Sequence, residues 1–179
     1  MIEKLKNQTI RAYQQLLDMD LGKFSRGVVS VISRETGTIV STSAKGTIVT
    51  NLTDNSPSLK QHIAIFCAFP TIAAIVQPYA KYATVFAQIG SDIPLLGSFH
   101  DDFFARDIPC ISSVSDLHQT FCDRQLDPHQ TPALLILYQG AFTWGHTLED
   151  AVNNACYLEE AASLAYLSLQ LDPGLVSYK

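Results

Sequence analysis

Charge is scarce in this chain, and no stretch of it is basic. Only 16% of its 179 residues are charged, and the net charge is −5. A chain without a Lys/Arg cluster lacks the electrostatic footprint of a nucleic-acid binder or of a protein that rides on anionic lipid. Long apolar runs are missing too, so no segment is expected to cross a bilayer as a helix. Cysteine is sparse: Cys67, Cys110, Cys122 and Cys156 stand apart, with no Cys-x-x-Cys pair. Such scattered cysteines read as reduced, mostly buried thiols. There is no low-complexity tract. The N-terminus, Met1-Ile-Glu-Lys-Leu-Lys, reads as the start of an amphipathic helix rather than a signal peptide, and a cytoplasmic protein is expected.

What the chain does have is apolar material, at 47%. Its length suits one domain, residues 1–179, with a sizeable core. Apolar spacing at Ile2, Leu5, Ile10, Tyr13, Leu16 and Leu17 predicts a helix from Ile2 to Asp20, ended by Gly22. Gly27 to Ser33 and Gly37 to Thr42 are β-branched runs, with Arg34-Glu-Thr-Gly37 as a hairpin turn between them. Ser58 is expected to cap a helix running through Phe69 and stopped by Pro70. Ala73 to Val76 reads as a buried strand, and Ala80 to Ile89 as a helix closed by Gly90. A strand over Ile108 to Ser112 and a helix over Ser115 to Gln125 follow. Strands over Ala133 to Tyr138 and Ala141 to Trp144 flank Gly140. Thr147-Leu-Glu-Asp150 resembles a capping box and opens an Ala-rich helix to about Leu171, ended by Pro173-Gly174. Strands and helices intermix without internal repeats, so the class is α/β with a mixed sheet.

Three segments carry a more specific signal: Ile75-Val-Gln-Pro-Tyr-Ala-Lys-Tyr-Ala-Thr84, His100-Asp-Asp-Phe-Phe104 and Leu137-Tyr-Gln-Gly-Ala-Phe-Thr-Trp-Gly145. With His62 to Pro70, Tyr82 to Pro94 and Glu149 to Ala155, they resemble the class II aldolase/adducin family, and within it the L-ribulose-5-phosphate 4-epimerase branch. The first and third segments read I-V-H-T-H-S-R-H-A-T and V-H-S-H-G-P-F-A-W-G in that branch. The resemblance runs from Ile2 to Leu171. It implies a single-domain αβα sandwich with a mixed, largely antiparallel central sheet. It also implies a cyclic homo-oligomer, a tetramer, with its site between subunits.

The resemblance also implies a metal site that this chain does not retain. The family makes or breaks a carbon–carbon bond beside a carbonyl, with a divalent metal as Lewis acid on three His and one acidic residue. Those four positions fall on Gln77, Tyr79, Gln139 and Ser58. An alcohol, a phenol and two amides do not replace them for zinc, so no metal cofactor is expected. The phosphate elements are altered as well. The G-N-V-S stretch becomes Gly27-Val-Val-Ser30, the K-P-S-G turn corresponds to Thr42-Ser-Ala-Lys-Gly46, and S-S-D becomes Ser56-Pro57-Ser58. Gly27, Ser43, Lys45, Gly46 and Ser56 remain as candidate ligand residues, joined by Tyr79 and Tyr138.

Asp102 aligns with the acid/base Asp of the epimerases and His100 lies beside it; these are the candidate catalytic residues. Each has an alternative reading. Asp102 equally suits a turn cap, His62 and His100 suit buried structural roles, and Tyr79, Tyr82 and Tyr138 suit filling of space left by a lost metal. Lys45 and Lys81 suit either an anion or plain solvation. The sequence therefore implies a degenerate, non-catalytic member of the family that binds a small anionic or sugar-like ligand or a protein. The alternatives are a metal-independent enzyme using Asp102 and the tyrosines, and an epimerase or aldolase of the family's usual kind.

Overall fold

The computed structural model of the chain describes residues 1–177. Its elements are α1 (Ile2–Asp18), β1 (Val28–Ser33), β2 (Thr38–Ser43), β3 (Gly46–Asn51), α2 (Lys60–Ala68), β4 (Ala74–Gln77), α3 (Lys81–Ile89), α4 (Ser98–Phe103), β5 (Cys110–Ile111), α5 (Leu117–Asp123), β6 (Ala133–Ile136), β7 (Gly140–Gly145) and α6 (Leu148–Leu171). The seven strands form one sheet in the order β3-β2-β1-β4-β7-β6-β5. Every pairing is antiparallel except β5 with β6.

Strand side chains alternate between two cores, as a period of two requires. Val29, Val76, Leu135 and Ala141 face a cluster built with α1, α3 and α6. Ile32, Ile75, Leu134, Phe142 and Trp144 face a second cluster built with α2 and α5. The sheet is thus covered on both faces, the αβα sandwich with a mixed, largely antiparallel sheet that the sequence resemblance implies. The alanines of α6 explain how a 24-residue helix lies so close to the sheet: Ala151, Ala155, Ala161, Ala162 and Ala165 are all buried.

Helix ends show how local chemistry sets the boundaries. Thr147 and Asp150 form a reciprocal capping box: Thr147 Oγ1 accepts from Asp150 N, and Asp150 Oδ2 accepts from Thr147 N. Just before it, Gly145 is obligatory. A Cβ there would lie 2.4 Å from Asp150 Cβ and 2.9 Å from Ala151 N. Helix α3 has no capping side chain of its own. Instead Glu159 on α6 accepts from the N–H groups of Tyr82 and Ala83 at 2.9–3.1 Å. Burial pushes the Glu159 carboxyl above its usual range, against those N–H groups, which pull it down.

Several boundaries differ from the sequence reading. Helix α1 ends at Asp18, before Gly22, because the chain turns at Asp20 with φ 62. Ser58 does not cap α2. It lies inside a 3-10 turn, Pro57–Leu59, and α2 begins at Lys60 without a side-chain cap. The helix expected at Ser115 starts from a capping box of Ser113 with Asp116 and is shorter. The edge strand β3 and the short helix α4 lie outside the elements read from sequence. The cysteines, expected to be mostly buried, are free and none is buried: Cys67 and Cys122 are exposed, Cys110 and Cys156 half-buried. Cys110 and Cys156 pack only at the margin of the first core cluster. Among the described residues no helix is long and apolar enough to cross a membrane.

Candidate functional site

At one end of the sheet, β1 begins where β2 and β4 finish. Val28 pairs with Ser43 on one side and with Gln77 on the other. A cavity of about 550 Å³ opens along this row. Ser43 and Lys45 line it from the β2–β3 turn, Arg26 and Gly27 from the entry to β1, and Gln77 and Tyr79 from the end of β4. Ser58 reaches it from the 3-10 turn, and Tyr138 and Gln139 from the β6–β7 turn. Eight sequence candidates, Gly27, Ser43, Lys45, Ser58, Gln77, Tyr79, Tyr138 and Gln139, therefore share one cavity. Gly46 and Ser56 lie just outside its lining. Ser56 is joined to the site through a 3.3 Å contact with Ser58 Oγ and through its carbonyl, which accepts from Leu59 N at 3.1 Å.

The amides of this cavity are partly spent on one another. Gln77 Nε2 donates to the Gln139 carbonyl at 3.3 Å. Gln61 Nε2 donates to Gln139 Oε1. Two aromatic residues are held in the left-handed region, Tyr138 at φ 61 and Phe24 at φ 56. Tyr138 is 79% exposed and lines the cavity. Phe24 meets the ring of Tyr79 edge-on, with centroids 5.4 Å apart. Tyr82, by contrast, packs against Tyr166 away from the cavity, and Lys81 lies over Tyr82.

Charge separates this cavity from the rest of the surface. Arg26 and Lys45 line it and no carboxylate does, although the chain carries a net charge of −5. Among the described residues neither cation is in a salt bridge. Sequence reasoning missed Arg26, Gln61, Thr84 and Gln88. Arg26 directly precedes the Gly27 frame, which was a usable signal. The others become neighbours only through packing of α2 and α3.

The catalytic candidates lie elsewhere. Asp102 lines a second cavity of about 380 Å³, with Phe103, Tyr157 and the stacked rings of His129 and His146. His100 is buried on α4, with one ring nitrogen on the Arg106 carbonyl at 3.1 Å. Burial holds its pKa down, against the Arg106 carbonyl, Asp107 and Asp101, which raise it. His62 is 1% exposed and neither ring nitrogen has a hydrogen-bond partner among the described residues. Burial alone lowers its pKa to about 3, so it is neutral at pH 7. Its ring packs edge-on against Phe142 in the second core.

The donor set of the first cavity does not fit a transition metal. Ser58, Gln77, Tyr79 and Gln139 supply neutral oxygen and amide groups, and the Gln139 amide oxygen is already engaged by Gln61. Zinc takes thiolate, imidazole or carboxylate, and even hard cations need carboxylates among their oxygens. Among the described residues no group of three or more His, Cys, Asp or Glu converges. What the cavity can do chemically is hold an anion by charge and a polar ligand by hydrogen bonds.

Comparison with known proteins places the chain and its fold. The chain is 29% identical to the L-ribulose-5-phosphate 4-epimerase UlaF of Salmonella paratyphi A, over 97% of this chain and 89% of that protein. It shares its fold with an L-fuculose 1-phosphate aldolase, TM-score 0.78 and 19% identity over 97% of this chain and 90% of the other. It shares it also with YgbL of Klebsiella pneumoniae, a putative aldolase/epimerase/decarboxylase, TM-score 0.73 and 18% identity over 97% and 92%. The description Class II Aldolase and Adducin N-terminal domain matches residues 7–166. With most of its length matched in this way, the chain belongs to the class II aldolase and adducin N-terminal domain family.

Proposed function

We propose that this chain is a binding member of the family: a single domain over residues 1–179 that holds a small anionic, sugar-like ligand without a divalent metal and without turning it over. The observation that carries the reading is the cavity's lining. Arg26 and Lys45 face it with no carboxylate to neutralise them, and an unneutralised guanidinium is suited to a phosphate or carboxylate. The four positions where the family holds its metal carry Ser58, Gln77, Tyr79 and Gln139. Without a Lewis acid, an enediolate developing beside a carbonyl has no adequate stabilisation from these neutral groups.

A second reading, a metal-independent enzyme, rests on Asp102 at the surface of the other cavity. It requires Asp102 of one copy to approach the first cavity of another, with His100 neutral. The kinship with epimerases and aldolases keeps sugar-phosphate turnover as the third. One set of measurements separates the three. The purified protein is expected to hold no stoichiometric zinc or manganese by elemental analysis. It is expected to show background rates with L-ribulose 5-phosphate and L-fuculose 1-phosphate. About one metal per chain at this cavity would sink the first reading. Robust metal-free turnover abolished in Asp102→Asn would establish the second.

A further inference from the structure

The cavity presents three chemistries at once, and together they specify more than an anion. This step rests on the anion-binding reading above. The first chemistry is cationic, from Arg26 and Lys45. The second is an amide pair. Gln77 spends its amide N–H on the Gln139 carbonyl, and Gln139 spends its amide oxygen on Gln61. Among the described residues Gln77 Oε1 and Gln139 Nε2 make no hydrogen bond, so adjoining side chains keep one acceptor and one donor. The third is aromatic. Tyr79 and Tyr138 both line the cavity. Tyr138 is held at φ 61 with its ring largely exposed, and Phe24, at φ 56, packs on Tyr79. A bulky L residue in the left-handed region costs backbone strain, and such strain collects at binding sites.

We infer that the ligand is an anion carrying a flat heterocycle with a donor–acceptor edge, of the class of adenine nucleoside monophosphates. The phosphate matches Arg26 and Lys45. The base edge matches the free acceptor and donor of Gln77 and Gln139, since glutamine amides pair with the adenine edge. The ring face matches Tyr138, whose exposed ring can stack on a base, with half-buried Tyr79 in the same lining. The volume of about 550 Å³ lies in the range of small-molecule sites. A plain sugar phosphate uses the cations and the amides but offers the tyrosines nothing flat.

Calorimetric titration of the full chain tests this, with adenosine monophosphate, ribose 5-phosphate and inorganic phosphate as probes. Adenosine monophosphate is expected to bind about tenfold or more tighter than ribose 5-phosphate. Tyr138→Gly suits the backbone, because glycine accepts φ 61 without strain, and an unchanged melting temperature verifies its fold. It is expected to erase that margin by weakening adenosine monophosphate far more than ribose 5-phosphate. The double variant Arg26→Ala/Lys45→Ala is expected to weaken both ligands. Equal binding of the two ligands, or equal loss of both in Tyr138→Gly, overturns the heterocycle and leaves the anion reading intact. No binding of any probe at millimolar concentration, or binding indifferent to the cation variant, overturns the anion reading and this inference with it.

Discussion

His62 shows what a single buried residue does to the pH response. The unfolded chain protonates it near 6.5, and the folded chain only near pH 3. Between those values the unfolded state binds more protons, so stability rises with pH. The contribution is complete above pH 6.5 and is lost as the pH falls toward 3, at roughly 1.4 kcal/mol per pH unit. His62→Leu removes the titrating group. Urea unfolding of wild type and variant at pH 7 and pH 4.5 should show the variant losing about 2–3 kcal/mol less between the two. At pH 7 the variant should lie within about 1 kcal/mol of wild type, because among the described residues the buried ring nitrogens it removes have no hydrogen-bond partners to lose. An unchanged acid sensitivity would mean that His62 is solvated or paired in solution.

At the scale of elements, the joint between β1, α2 and β4 depends on Arg34. Its guanidinium donates to the Phe66, Phe69 and Ile72 carbonyls at 2.8–3.2 Å and lies over the Phe66 ring. It thereby satisfies the open carbonyls at the end of α2, which a helix C-terminus leaves without partners. One residue of the β1–β2 turn thus fixes where α2 ends and β4 begins, and β4 carries Gln77 to the cavity. Arg34→Ala is expected to cost about 2–3 kcal/mol in denaturant unfolding, as loss of charged hydrogen bonds to buried acceptors does. Arg34→Lys should recover little of this, since a single ammonium does not span three carbonyls as the planar fork does. Full recovery in the lysine variant would show that charge alone, not the fork, holds the joint.

For the molecule as a whole, two helices each carry a set of exposed apolar residues. Ile2, Ile10 and Leu17 of α1 and Leu164, Leu167 and Leu171 of α6 are all exposed. The apolar spacing put Ile2, Leu5, Ile10, Tyr13, Leu16 and Leu17 on one face of α1; packing buries Leu16 together with Thr9 and Ala12 and leaves Ile2, Ile10 and Leu17 exposed. Apolar helix surface left in water favours association, and closed symmetric assembly is the common outcome for a single kind of chain. The protein is therefore expected to form a homo-oligomer with no dependence on metal, and the family resemblance implies that it is a tetramer. Light scattering at micromolar concentration should give about four times 19.7 kDa, unchanged by a chelator. A clean monomer would contradict this and point to assembly with a different chain.

Patterns carried within one element were legible in the sequence. The β1–β2 hairpin, the Thr147 capping box and the closure of α3 at Gly90 all follow from chemistry a few residues apart. The flanking frames singled out Ser58, Gln77, Tyr79 and Gln139, and the structure brings those positions to one cavity. The tertiary structure decided what depends on distant partners. Glu159 caps α3 from a helix more than seventy residues away in the chain. Gln61 reaches Gln139 across a separation of 78, and Arg26 meets Lys45 only once β1 and β2 pair. Asp102 read as part of the same site, yet α4 carries it to a different cavity. Spacing along a chain determines local hydrogen bonding and which face a side chain takes; which faces then meet is set by packing, and packing assembled the cations, amides and tyrosines into one site.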